Sequence, residues 1–395
     1  MSSVVFNISH FTSRSIQDAL ETIPKLNRFA RHRKIFEDRV HLGAAVTWLR
    51  RSIEANGGAG SSHSFIVLKG WRPAYPETTG YILKTFLRLA DWCDPEENVG
   101  MARQLADWLI TVQLSNGGIP GLDIGRIEGP NVFNTGMVLL GWNAIHLRSA
   151  DGKYLIAARA AGDFLLTCLD KTGCFSRHTS YGLAHAYNVR AAWALLELGH
   201  ITKQQDYVEG AENNLRWTLQ QQTDNGFFQN NMFVPGGRAL THSIGYVLSG
   251  LVESYLLTKN RKYLESVLST VERIHDVYKK CGRIVAELGE DFGELSSHVC
   301  VVGYCQLAIV LLQLYEINKD QRHRDLAILL IDDAKATQQL GSSDSPYYGG
   351  IPGSQPIYGR YARLQYPNWA AKFFVDALLL KMKSMSDFNV TPSDC

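Results

Sequence analysis

"NTGMVLLGWNAIHL", residues 134–147, is apolar nearly all round when wound as a helix. A helix apolar on every side is buried on every side. Five other stretches share this character, at 79–92, 186–199, 241–258, 298–317 and 367–384. Before each of the six runs a helical stretch of mixed polarity, at 41–56, 98–115, 152–170, 205–222, 261–280 and 321–339. "RKYLESVLSTVERIHDVYKK" is one example, with its charges on one face, as a helix with a solvent side requires. Six outer and six inner helices therefore alternate. Inner helices start roughly 52–57 residues apart, with a last step of about 69, a period expected of a ring or a solenoid. A solenoid ends in polar capping repeats. The last unit here, "YPNWAAKFFVDALLLKM", is as apolar as the middle ones. The expected fold is all-α, an (α/α)6 toroid over residues 41–386. An N-terminal extension, 1–40, packs on the ring, and 387–395 form a flexible tail.

Composition narrows the function. Formal net charge is +2 over 395 residues, with 20% charged and 45% hydrophobic residues. No block of like charge stands out, so neither nucleic acid nor an acidic membrane surface is an expected partner. No apolar run reaches about 18 residues, so no membrane span is expected. The first residues lack the basic start and apolar stretch of a signal peptide. Seven scattered cysteines without a CxxC pair fit free thiols in a reducing, cytoplasmic compartment.

The connections are asymmetric. Inner-to-outer links are short, such as "TKN" and "NKD". Outer-to-inner links are long, such as "SNGGIPGLDIGRIEGPNVF" and "TDNGFFQNNMFVPGGRAL". Loops this long in a compact domain are usually functional. All six lie at the end of the ring where the inner helices start. A cavity is expected there, floored by helix N-termini whose free N–H groups suit anionic or hydroxyl-rich ligands. Aromatic and glycine-rich loops with scattered charges suit sugars. "QLSNGG", "DKTGC" and "QQTDNG" open three loops and read as helix C-caps with a left-handed glycine.

Aligned at their starts, the inner helices offer Glu77, Asn134, Asn188, His242, His298 and Asn368. Asparagine is a good N-cap, whereas Glu77, His242 and His298 are poor ones and become candidate catalytic groups. Thr78 and Thr79 can cap in place of Glu77. The helix dipole would keep that carboxylate ionised, as a base or nucleophile requires, while a general acid would need burial. "GEDFGELSSH" adds Asp291 and Glu294, either of which completes the carboxyl pair of glycoside hydrolysis. "WRPAYPE" supplies Trp71, Arg72 and Tyr75, and "PIYGRYARLQY" supplies Tyr358, Arg360, Tyr361, Arg363 and Tyr366. Arg360 suits a carboxylate or phosphate. His185, Tyr187 and Arg190 stand at a third junction, where Arg190 needs a partner if buried. His242, His298 and Cys300 lack any paired metal-ligand spacing, and neither a P-loop nor a dinucleotide fingerprint is present, so no metal or cofactor is expected.

"YPETTGYI", "NTGMVLLGW", "AYNVRAAWALLELG", "THSIGYVLSGL" and "YPNWAAKFFVDALL" resemble the six-hairpin carbohydrate enzymes. That group includes N-acylglucosamine 2-epimerases, unsaturated glucuronyl hydrolases and the helical domain of glucuronyl C5-epimerases. The last stretch is also similar to proteins encoded with exopolysaccharide synthesis enzymes. The resemblance covers about residues 40–385 and implies the toroid and an oligosaccharide or polysaccharide partner. No complete catalytic set of one family is present. The leading expectation is glycoside hydrolysis by Glu77 with Asp291 or Glu294. Trp71, Tyr75 and Tyr366 would stack on sugar, with Arg72, Asn134, His185, Tyr358, Arg360 and His242 as further binding groups. Two alternatives stand beside it: an epimerase using His242 and His298 or a tyrosine, and a non-catalytic glycan-binding scaffold.

Overall fold

The computed structural model describes residues 35–125 and 129–385. Among them are twelve α-helices. The outer set is α1 (Asp38–Glu54), α3 (Pro95–Val112), α5 (Gly152–Cys168), α7 (Gln205–Gln220), α9 (Arg261–Cys281) and α11 (Gln321–Lys335). The inner set is α2 (Pro76–Leu89), α4 (Val132–Ser149), α6 (Val189–Thr202), α8 (Thr241–Thr258), α10 (Val301–Asn318) and α12 (Asn368–Met385). Each inner helix packs on the next, and α12 returns to pack on α2. The ring is closed, as the apolar last unit requires. Of the outlying segments expected from sequence, residues 1–34 and 386–395 lie outside the described residues.

Four inner-to-outer turns share one construction. A left-handed residue ends the inner helix (Ala150, Lys203, Lys259, Lys319; φ 54° to 59°), and the next residue starts the outer one. In three of them that residue caps with its side chain. Asp151, Asn260 and Asp320 accept from Lys153 N at 3.0 Å, Lys262 N at 3.2 Å and Arg322 N at 3.0 Å. Such a tight turn forces the two helices antiparallel and side by side.

The helix α10 is long and apolar enough to cross a membrane by length and composition. Its faces are covered by α8, α11 and α12, as an inner helix demands.

At the opposite end the long loops staple one another. Strand β1 (Ser64–Ile66) pairs with β2 (Gly70–Trp71) of its own loop and with β7 (Gln365–Pro367) of the last loop. Strand β3 (Ala239–Leu240) pairs with β4 (Glu287–Leu288), and β5 (Val299–Cys300) with β6 (Ser354–Gln355). The repeated glycines are left-handed as expected, at φ +85° to +87° for Gly117, Gly173 and Gly226. They are not C-caps, however. Each closes a turn a few residues past the helix, donating to Leu114 O, Asp170 O and Thr223 O. A Cβ there would meet the backbone of the next outer helix, at Ala160, Asn213 and Ser269, and one at Gly349 would meet Ala44. Gln113, Gln222 and Gln338 complete three of these seats. Each side-chain amide donates both to its own turn's glycine carbonyl and to a carbonyl of the next outer helix, at 2.9 to 3.3 Å.

Polar groups tie the seam between last and first repeats. Buried Asp376 on α12 accepts from Arg88 Nη1 at 2.6 Å and Thr85 Oγ1 at 2.9 Å on α2, and from Lys372 Nζ at 2.7 Å. On the outside, Asp38 of α1 pairs with buried Lys335 and Lys381. Removing one partner of a buried ionic cluster strands the remaining charges, at about 3–5 kcal/mol. Burial already pushes the Lys372 ammonium down to about 7, against the pull of Asp376. Deprotonation there would relieve part of the cost. Asp376→Ala is expected to lower unfolding stability by about 3 kcal/mol, read as a shift of the urea midpoint. A loss below about 1 kcal/mol would make the cluster incidental.

Candidate functional site

A cavity of about 830 Å³ opens among the loops at the end where the inner helices start. Glu77, Asn134, His242, Tyr246 and Trp369 reach it from the first two turns of four inner helices, and Tyr187 from the turn before α6. His63, Glu287, Arg360 and Tyr361 reach it from the loops. No residue of α10 is among those that line it.

Glu77 sits at the base. Pro76 starts α2, and the hydroxyls of Thr78 and Thr79 bond Tyr75 O at 3.2 and 2.8 Å. Both bonds run to a carbonyl, so the expected threonine caps are not made, and no side chain, Glu77 included, caps this helix. The Glu77 carboxyl instead accepts from the hydroxyls of Tyr75 and Tyr81, the latter at 3.2 Å. The expectation that the dipole keeps this group ionised is corrected by its surroundings. Burial among tyrosines raises its pKa to about 7, outweighing the tyrosine bonds and the Arg190 charge, which lower it. A carboxyl with this pKa donates and accepts a proton near neutrality.

His242, 3% exposed, bonds Gln306 Oε1 through Nδ1 at 2.6 Å. As that amide is placed, Nδ1 carries the proton and the lone pair lies on Nε2. Burial, with a smaller effect from Arg190, pushes the imidazole down to about 3, so it is neutral. Arg190 is buried beneath the site, donating to Ser249 Oγ at 2.6 Å with its guanidinium 5.1 Å from the Tyr246 ring centre. Its partners are therefore a hydroxyl and aromatic faces rather than a carboxylate. At the α4 junction the cap is Asn131, whose side chain accepts from Phe133 N and Asn134 N. Asn134 is left facing the cavity, anchored by its bond to Pro120 O at 2.8 Å. Asn368 is no cap either; its amide ties Trp48, Ser61 and Ser62 together.

Of the residues singled out from sequence, Glu77, Tyr75, Asn134, His242 and Arg360 line one cavity. The others do not. Asp291 is exposed and closes its own turn by accepting from Gly293 N at 2.8 Å. Glu294 is exposed and paired with Arg283 at 3.2 Å. Both follow Gly289, where the chain turns outward. The acid of this loop that faces the cavity is Glu287, held in β4 by pairing with β3 and 3.5 Å from Arg238. One sequence signal marks it: it alone lies inside the apolar run "IVAEL". His298 is buried against Gly359, outside the lining, so it does not face His242 across the cavity. Trp71 packs on Trp48, with ring centres 4.6 Å apart, and Tyr366 is fully buried beside the same ring. Arg72 backs the site. It bonds Asp123 Oδ2 at 2.6 Å and lies 3.2 Å from His63 Nδ1. His185 stacks under Tyr187, and Tyr358 points to solvent at 50% exposure. The sequence reading did not single out His63 or Trp369, whose meeting depends on ring closure, nor Tyr246, which the i,i+4 spacing from His242 on α8 would have marked. Among the described residues no group of three or more His, Cys, Asp or Glu side chains is placed to hold a metal ion.

No family model matches this chain, and no curated protein matches it. Solved structures do. Cellobiose 2-epimerase from Bacillus thermoamylovorans superposes with a TM-score of 0.68 at 12% identity, over 91% of this chain and 99% of its own. An unsaturated glucuronyl hydrolase specific for heparin gives 0.67 at 15%, over 87% and 96%. A D-mannose isomerase gives 0.67 at 11%, over 88% and 97%. The fold is the (α/α)6 toroid of those enzymes, as the sequence resemblance implied.

The raised Glu77 pKa has a thermodynamic cost. The folded protein keeps this proton up to about pH 7, whereas a carboxyl in the unfolded chain releases it near 4.5. Folding takes up a proton between those values, so stability falls as pH rises through that window. The full penalty, about 3 kcal/mol at most, stands above pH 7. Glu77→Gln should therefore be more stable than the parent at pH 8 and nearly equal to it at pH 4.5, measured by denaturant unfolding. An equal difference at both pH values would refute a raised pKa.

Proposed function

We propose that the protein is a carbohydrate-active enzyme that cleaves a glycosidic bond in an oligosaccharide or polysaccharide. The observation that carries this reading is Glu77, a buried carboxyl bonded by two tyrosine hydroxyls, with its pKa raised by burial to about 7, at the base of an aromatic-walled cavity. Glu77 acts as the general acid and gives its proton to the leaving glycosidic oxygen. Glu287, beside Arg238 on the same cavity, serves as the carboxylate that activates water or attacks the sugar. Tyr75, Phe133, Tyr187 and Trp369 offer ring faces to the sugar, and Asn134 and Arg360 offer donors to its hydroxyls. The neighbours in fold support the substrate class, since their names state a hydrolase specific for heparin, an epimerase of cellobiose and an isomerase of mannose.

A second reading rests on His242. A neutral imidazole with its lone pair on Nε2, sharing the cavity with Glu77, is a proton-transfer pair for epimerisation. Release of reducing ends from a panel of neutral and acidic oligosaccharides distinguishes the two. Glu77→Gln and Glu287→Gln should each slow cleavage by about 10²–10⁴-fold. Cleavage by the parent should fall as pH rises above about 7, where Glu77 loses its proton. Solvent deuterium appearing on a sugar carbon without any cleavage would overturn hydrolysis in favour of epimerisation.

A further inference from the structure

Three of the large apolar side chains exposed on this protein stand together on the cavity lining. They are Leu122 at 41% exposure, Tyr181 at 67% and Val234 at 47%, on three consecutive loops. The opposite side of the mouth is charged, with Glu287 and Arg360. Tyr181 is the most exposed of the three, yet its backbone is tightly held. It occupies the left-handed region, at φ 57° and ψ 15°, in the turn Ser180–Gly182. Non-glycine residues rarely adopt that conformation unless their surroundings impose it. The surroundings are specific here. His185 Nε2 bonds Ser180 O at 2.9 Å, and the amide of the cap residue Asn131 donates to Ser180 Oγ at 3.3 Å. His178, also left-handed, accepts from Val132 N at the start of α4 at 2.9 Å. The loop is thus fastened to the first turn of one inner helix and to the approach of the next.

A strained, anchored turn that presents an aromatic ring to water has no account in core packing. We propose that Tyr181, flanked by Leu122 and Val234, is a stacking subsite for a second or third sugar ring, which continues out of the cavity from the unit held at Glu77. This inference rests on the carbohydrate reading above and deepens it. The substrate is an extended saccharide of several residues, and its outer part crosses the apolar side of the mouth. Sugar rings suit this shelf because their C–H faces pack on an aromatic plane while hydroxyl edges stay in water. Pre-fastening the ring lowers the ordering cost of binding.

The test uses the full chain carrying Glu77→Gln, so that bound saccharide is not turned over. Its binding to an array of defined neutral and acidic oligosaccharides, one to six residues long, is compared with and without a change at Tyr181. Affinity should rise with length beyond the first residue. Tyr181→Ala should weaken binding of the longer members about tenfold and leave single sugars unaffected, and Tyr181→Trp should restore it. Binding that ignores length, or that Tyr181→Ala leaves unchanged, would overturn the subsite while sparing the carbohydrate reading. If no member of the array binds, the carbohydrate reading itself fails and the subsite falls with it.

Discussion

Asp376 lies in the contact between the last inner helix and the first, with Arg88 and Thr85 of α2 and Lys372 of its own helix around its carboxylate. The remainder of the molecule depends on that contact. Helices apolar on every side cannot tolerate a free edge, so α2 and α12 must cover each other. Apolar packing alone would leave the rotational setting of the two loosely defined. A directional ionic cluster at the junction favours one setting. The cavity inherits this precision because it straddles the same junction. His63, from the loop before α2, meets Trp369 of α12 with ring centres 4.8 Å apart and Tyr75 at 5.0 Å.

The site illustrates a competition between two effects on one carboxyl. A helix N-terminus favours the anion by up to about 2 kcal/mol in partly buried settings. Desolvation opposes it and can exceed that amount. The hydroxyls of Tyr75 and Tyr81 bond Glu77 but supply little solvating power, and the buried cation that acts on it, Arg190, is partly occupied by aromatic faces. Desolvation wins, and the group is set near the middle of the physiological range. His242 shows the same effect with the opposite sign, because burial removes its charge instead of restoring a proton to an acid.

Much of this organisation was legible in the sequence, because it depends on local periodicity. Inner and outer helices differ in how far apolar residues extend around the wheel, and that difference needs no knowledge of partners. The junctions followed from helix starts, which put Glu77, Asn134 and His242 at the mouth, where they line the cavity. The direction of loop side chains did not follow. Asp291, Glu294 and Glu287 lie within eight residues of one another. Only the pairing of β4 with β3, from the preceding long loop, determines which of them points inward. Trp71 failed for the same reason. Its strand lies beside β1, and its ring is drawn onto Trp48 of α1. Residues that converge only after the ring shuts, such as His63 and Trp369, carry no signal at any local spacing.

The glycine seats between outer helices bear on how such a ring can change. At Gly117, Gly173, Gly226 and Gly349 the separation of adjacent walls is set by main chain lying on main chain, with no side-chain volume between. Side-chain size elsewhere can drift without altering the circumference, since the gauge is the thickness of the polypeptide itself. Each seat also fixes the point where a loop departs. Length and composition beyond that point are then free to vary, and a new chemistry at the mouth requires no new solution for the cylinder beneath it. A scaffold gauged in this way accommodates wide divergence in sequence, in keeping with the 11–15% identity at which the superposed structures share nearly their full length with this chain.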